Sequence, residues 1–309
     1  MKKNTLGRSG LKVSALSLGT MNFGADWHGI GAIDDRVASS LLDLAIERGV
    51  NLIDTADIYG RGAAEEMLGR LLKGRRQKLL IATKVLGQMR LDDPRTGGLS
   101  ARWISEALDG SLKRLKTDHV DLYMPHGWDF ETPLEESLGA LEAAVKAGKV
   151  RVLGCSNFSG EQLASSDGRF AFDQVQYSLV ARFPENDLVP VAQKEKVSLL
   201  AWSPLGGGLL TGKYEAKGAT GRRRSPEAFP SISPEKGAAV VSVLRRVATL
   251  EAATCAQAAL GWIMGKPYVA SAIIGARNSV QLAELLDAQP LTPRAAALLD
   301  RASEICSRP

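Results

Sequence analysis

The chain has 309 residues, 45% hydrophobic and 24% charged, an ordinary globular composition with enough apolar material for one large core or two smaller ones. Its net charge of +5 is spread along the sequence apart from Arg75-Arg76 and Arg222-Arg223-Arg224, so no nucleic-acid partner is expected. Cys155, Cys255 and Cys306 are too few and too far apart for a disulfide framework or a cysteine-rich zinc site, and no metal site is expected; no apolar run reaches the roughly 18 residues of a membrane span or follows Met1-Lys2-Lys3 as a leader would, so a cytoplasmic protein is expected.

Leu16-Ser17-Leu18-Gly19-Thr20-Met21 reads as a first strand running into a glycine turn. A loop carrying Trp27 and His28 follows, and Asp34 or Asp35 then caps a helix that Gly49 ends. Leu52 and Ile53 form a second strand ending at Asp54, with Tyr59 five residues on, and a second helix covers 63–72. A carboxylate in that place is also an ordinary helix N-cap. The third strand runs to Lys84 and the third helix over 100–115; the fourth strand runs to His126 and the fourth helix over 133–147, with Pro133 at its start and Gly148 at its stop. Strands over 150–157, 172–177, 197–202 and 271–275 continue the alternation, with helices from about 160, over 189–194 and over 280–287. Helices at about 234–250 and 256–264, one of them extra, and a terminal helix over 293–305 capped by Thr292 complete the pattern.

Eight short apolar strands alternating with helices point to parallel pairing and to a (β/α)8 TIM barrel with extra helices, a single domain over 1–309. A doubly wound sheet would need a GxGxxG turn after an early strand, and Leu18 to Gly24 lacks that spacing. A barrel gathers the carboxyl ends of its strands on one face. Asp54, Tyr59, Lys84 and His126 then converge there, a set suited to reducing a carbonyl. A tyrosine donates the proton, an ammonium stabilises the phenolate, an aspartate holds the ammonium, and a histidine polarises the oxygen.

Asp54-Thr-Ala-Asp-Ile-Tyr-Gly60, Ala82-Thr-Lys84, Gly148-Lys-Val-Arg-Val-Leu-Gly-Cys-Ser-Asn157, Gly208-Leu-Leu-Thr-Gly-Lys213 and Ile274-Gly-Ala-Arg277 give the chain a resemblance to the aldo-keto reductases over nearly its whole length. The resemblance implies that Asp54, Tyr59, Lys84 and His126 are the catalytic tetrad and that an extended nicotinamide dinucleotide, NADPH (NADP+), is the cofactor. It places Ser156, Asn157 and Gln176 at the carboxamide and Trp202 under the nicotinamide ring. Gly19, Thr20 and Met21 match the first cofactor-contacting turn. Ser203, Pro204, Leu205, Gly206, Gly208, Leu210 and Lys213 match the segment along the pyrophosphate. Gly275, Ala276, Arg277, Gln281 and Glu284 match the adenosine end, with Arg277 the candidate 2′-phosphate ligand. Trp27, Tyr59, His126 and Trp128 are the expected walls for an apolar aldehyde or ketone, the small-molecule carbonyl substrate. Two other functions fit parts of the pattern: a cofactor-sensing regulatory subunit, and a Schiff-base aldolase using Lys84.

Overall fold

A computed structural model describes residues 1–26, 29–215 and 229–307. Trp27 and His28, and with them the substrate expectation for Trp27, lie outside the described residues, as do Arg222 to Arg224. The strands are β1 (Lys3–Thr5), β2 (Lys12–Ser14), β3 (Leu16–Gly19), β4 (Leu52–Asp54), β5 (Leu80–Val85), β6 (Val120–Pro125), β7 (Val150–Leu153), β8 (Cys155–Ser156), β9 (Phe172–Gln176), β10 (Ser198–Trp202) and β11 (Val269–Ile274). From β3 onward all pairings are parallel, in the order β7-β6-β5-β4-β3-β11-β10-β9-β8. Because β7 and β8 are successive pieces of one run broken at Gly154, the two ends of this order meet and the sheet is a nearly closed barrel.

Ten α-helices among the described residues surround it: α1 (Asp35–Glu47), α2 (Ala63–Leu71), α3 (Ala101–Leu115), α4 (Leu134–Lys146), α5 (Gly160–Ser165), α6 (Leu188–Lys194), α7 (Pro234–Leu250), α8 (Cys255–Met264), α9 (Ser279–Leu286) and α10 (Pro293–Ser303). Their ends follow local chemistry. Asp34, Ser100 and Thr292 cap α1, α3 and α10 through their side-chain oxygens, and Ser159–Gln162 and Thr254–Gln257 close reciprocal capping boxes on α5 and α8. Helices α7 and α10 pack on each other outside the eightfold alternation. Among the described residues no single helix is long and apolar enough to cross a membrane.

The period of two along a strand decides what faces inward. Leu52, Ala82, Leu122, Met124, Phe172, Leu200 and Ile273 share one apolar cluster inside the barrel, while Ile53, Ile81, Tyr123 and Leu199 belong to the cluster formed with the helices. Hairpin β1–β2, which the strand pattern did not predict, closes the amino end of the barrel. Leu6 and Val13 enter the interior cluster, the Gly7 N–H donates to Ser198 Oγ at 2.8 Å, and Asn4 Nδ2 donates to the Ala270 carbonyl at 2.9 Å.

The break at Gly154 has a steric cause. A Cβ there would lie 2.3 Å from Phe172 Cζ and inside contact distance of both flanking ring carbons, so the Phe172 ring fills the space a side chain would take. Replacing Gly154 by alanine forces that ring off its packing, and overpacking of this kind costs roughly 1–3 kcal/mol. Denaturant unfolding of Gly154→Ala should therefore show a lower midpoint at unchanged slope.

Candidate active site

The same parity that fills the barrel interior aims its polar groups. Two residues beyond Leu52, Ala82, Met124, Phe172 and Leu200 stand Asp54, Lys84, His126, Gln174 and Trp202, so each strand that contributes an apolar residue to the core also delivers a functional one to the mouth. Lys84 has no solvent exposure. Its Nζ lies 2.9 Å from both Asp54 oxygens, 2.7 Å from the Thr55 carbonyl and 3.3 Å from Tyr59 Oη. Asp54 is thus no helix cap; its Oδ1 also accepts from Gln174 Nε2 at 2.7 Å.

Tyr59 reaches this group because the chain turns sharply after it. Gly60, Arg61 and Gly62 are successive left-handed residues with φ of 55°, 51° and 96°. A Cβ at Gly60 would approach Ala25 Cβ to 2.6 Å, so glycine is required there on both counts. Arg61 is held by Nη1, which donates to the Gln88 carbonyl at 2.7 Å. The Tyr59 ring meets the His126 ring edge-on, with centroids 5.8 Å apart and an interplanar angle of 71°.

Burial sets the protonation states. It raises the Tyr59 phenol, and the attraction of the Lys84 ammonium does not cancel that, so the phenol keeps its proton at neutral pH. Burial would push the Lys84 ammonium down, but the Asp54 charge and the bonds to Asp54 and Tyr59 hold it above its ordinary value. Burial, with the positive charge of Lys84, pushes the His126 imidazole down to about 3, which leaves it neutral with one N–H to donate.

These residues stand at one end of a groove of about 920 Å³. Asp54, Tyr59, His126, Gly19, Thr20, Met21, Ser156, Asn157, Trp202, Ser203, Pro204, Leu205, Gly208, Lys213, Gly275, Ala276, Arg277, Gln281 and Glu284 line it. Asn157, left-handed at φ 59°, ties its centre together. Its Nδ2 donates to the His126 carbonyl and to Ser156 Oγ, both at 3.0 Å, and its Oδ1 accepts from Trp202 Nε1 at 2.8 Å. At the far end the Arg277 N–H donates to Gln281 Oε1 at 3.0 Å, and its guanidinium donates to the Ile30 carbonyl.

Four expected residues take other places. Gln176 is half-buried and outside the groove lining, whereas Gln174, on the same strand face and 2% exposed, lines it. Gly206 is buried against Val180 and Ile232, where a Cβ would lie 2.8 Å from Val180 Cγ2, and Leu210 is wholly in the core. Trp128 turns away from the mouth to pack edge-on against Phe158, with centroids 5.1 Å apart. Lys84 lies behind Asp54 and Tyr59, bonded to both. Lining residues that sequence reasoning did not single out include Asn22, Ile58, Gln174, Thr211 and Ala256. Only Gln174 carried a signal, its parity with Phe172 in a strand otherwise read as apolar. Phe229 stacks parallel to the Trp202 ring at 5.6 Å.

The groove chemistry fits a dinucleotide. Trp202 offers a flat apolar face, Gly207 and Gly208 are left-handed with φ of 63° and 89° and leave backbone open to a pyrophosphate, and Lys213 and Arg277 supply positive charge beside the start of α9.

Comparison with known proteins agrees with this architecture. The model of the aldo/keto reductase family matches residues 15–304. The chain is 37% identical to the uncharacterized oxidoreductase YrpG of Bacillus subtilis, over 93% of this chain and 91% of that one. It is 33% identical to a probable voltage-gated potassium channel subunit beta of Arabidopsis thaliana, over 95% of this chain and 92% of the other. Among solved structures, the holo form of aldo-keto reductase AKR11C1 from Bacillus halodurans superposes with a TM-score of 0.81 at 30% identity, covering 98% of this chain and 96% of that one. With its strand ends, buried lysine and tyrosine turn arranged as described, the chain belongs to the aldo/keto reductase family.

Proposed function

We propose that this protein reduces aldehydes or ketones to alcohols using NADPH, with Tyr59 as the proton donor. The observation that carries the proposal is the buried Lys84 ammonium, 2.9 Å from both oxygens of Asp54 and 3.3 Å from Tyr59 Oη. A reduced nicotinamide bound in the groove would supply a hydride to the carbonyl carbon. Tyr59 then gives its phenolic proton to the carbonyl oxygen: the Tyr59 O–H bond breaks, the alcohol O–H forms, and the tyrosinate left behind faces the Lys84 ammonium. Asp54 keeps that ammonium in place and charged. Neutral His126 donates a hydrogen bond to the substrate oxygen and stabilises the charge that develops there. Trp202 would hold the nicotinamide ring, and Arg277 at the start of α9 supports a preference for the 2′-phosphate.

The relatives named as potassium channel beta subunits favour a second reading, a cofactor-responsive regulatory subunit with little turnover. Steady NADPH oxidation with a panel of aldehydes separates the two, since the regulatory reading requires tight cofactor binding and almost no product.

Removal of the Tyr59 hydroxyl in Tyr59→Phe should lower kcat for reduction by about 10²–10⁴-fold while leaving NADPH affinity within a small factor. A variant that keeps parental kcat would rule Tyr59 out as the acid. Arg277→Ala should weaken NADPH by roughly tenfold or more and NADH far less, because only the former loses charge-assisted bonds to a phosphate; equal losses would place the 2′-phosphate elsewhere. With His126 titrating only near 3, kcat/KM should show no histidine limb between about pH 5 and 8. The same depression predicts that stability is full above the unfolded imidazole value of about 6.5 and falls as pH drops towards the folded value, because acid protonates the unfolded chain first. Thermal unfolding over that range checks the sign.

A further inference from the structure

Behind the tetrad lies a set of buried ionisable groups that the reaction as described does not use. Asp54, Asp57 and Glu65 are all buried, at 3%, 0% and 0% exposure. Among the described residues, Lys84 and Arg114 are the cations that pair with them. Lys84 has its three protons engaged by Asp54, the Thr55 carbonyl and Tyr59. Arg114, reaching in from α3, donates through Nε to Glu65 Oε2 at 2.8 Å, and Glu65 Oε1 accepts from Thr83 Oγ1. Each cation therefore has its own acid, and Asp57 is left over. Neither of its oxygens completes a hydrogen bond, and the Ile58 N–H acts on it without forming one of good geometry.

A buried carboxylate with no counter-ion and no donors is among the most costly arrangements in a protein interior, and it is relieved by taking up a proton. We propose that Asp57 is held as a neutral carboxylic acid in the folded protein, and that this neutrality makes it a positioning residue for proton donation by Tyr59. The proposal rests on Tyr59 being the acid. A phenol that gives up its proton becomes an anion beside Asp54, which already carries one negative charge. An ionised Asp57 would add a second like charge two residues away in sequence and oppose the tyrosinate. Kept neutral, Asp57 leaves the field of Lys84 to act on Tyr59 against Asp54 alone.

The groups facing Asp57 come from four elements and act in opposite directions. Glu65 on α2 repels a negative charge on it, and Arg114 on α3 and Lys84 on β5 attract one, but each is already paired. Tyr123 on β6 feels both Asp57 and Glu65 as repulsive. Burial outweighs the rest and raises the Asp57 carboxyl well above the usual carboxylate range.

The test is Asp57→Asn, which has the shape of the neutral acid and cannot ionise. In infrared difference spectra of parent against variant at neutral pH, the carbonyl stretch of a protonated carboxyl should be present in the parent and missing from the variant; a carboxylate pair of bands in its place would overturn the proposal. Stability gives an independent sign. A neutral Asp57 contributes stability that is full below the unfolded carboxyl value and is lost as pH rises, so the parent should lose ground to the variant as pH rises above about 4. An ionised Asp57 gives no loss above about pH 4, because the carboxyl is then deprotonated in both the folded and the unfolded state. In turnover, the pH limb belonging to Tyr59 should keep its position in the variant, whereas movement to lower pH by roughly one unit, a tenfold change in phenol acidity, would show that the parent carries a charge at this position. Should the variant fold poorly, Asp57→Ser read against the same infrared band decides the protonation state. Neither the infrared nor the stability readout needs turnover, so loss of the proposed reductase activity would not be mistaken for failure of this one.

Discussion

Lys84 is an ammonium with no access to water, and most of the barrel's functional face is arranged by what that requires. A lysine buried without a partner would give up its charge; here two oxygens of one aspartate, a backbone carbonyl and a phenol take up its protons. Those four contacts fix the strand end at Asp54, the step through Thr55 and the position of Tyr59 at once. Removing Asp54 would leave a buried charge uncompensated, a loss of about 3–5 kcal/mol in comparable pairs, so the constellation is retained or lost as a unit.

Around that pair, one amide carries positional information across the mouth. Asn157, in a left-handed turn after β8, bonds the His126 carbonyl on one side and the Trp202 indole on the other. The residue implied to bind the carboxamide therefore also sets the angle of the imidazole strand and the plane of the aromatic platform. Gln174 does the same between Asp54 and β9. Polar residues at the carboxyl ends of five strands are braced against one another before any ligand enters, which is the preorganisation an electrostatically assisted proton transfer needs.

The outward faces of the same strands have a separate task. Thr83, one residue before Lys84, points to the helices and binds Glu65, which in turn holds Arg114. Asp121, buried on β6, accepts from Arg151 Nη1 and from the Ile81 N–H. The first set ties α2 and α3 to the barrel and the second ties β6 to its neighbours β5 and β7, and neither supplies a cation to Asp57.

Much of this was legible in the residues themselves. Alternating apolar strands and capped helices were enough for the barrel, since each element depends on local periodicity and local hydrogen bonds, and the strand ends at Asp54, Lys84 and His126 followed from the same spacing. Gln176 in place of Gln174 was the characteristic error: both lie on one face of β9, and only the depth of the strand in the closed barrel separates groove from rim. Gly206, Leu210 and Trp128 failed for a similar reason, because whether a loop residue faces a groove or a core is set by chains distant in sequence, Val180 and Phe158 among them. Sequence by itself determined the type and order of the elements and which polar residues stand at the strand ends. Tertiary structure alone decided the hairpin plug, the pairing of each buried charge and the absence of one for Asp57, because counter-ions and excluded water depend on contacts between strands that the chain order does not contain.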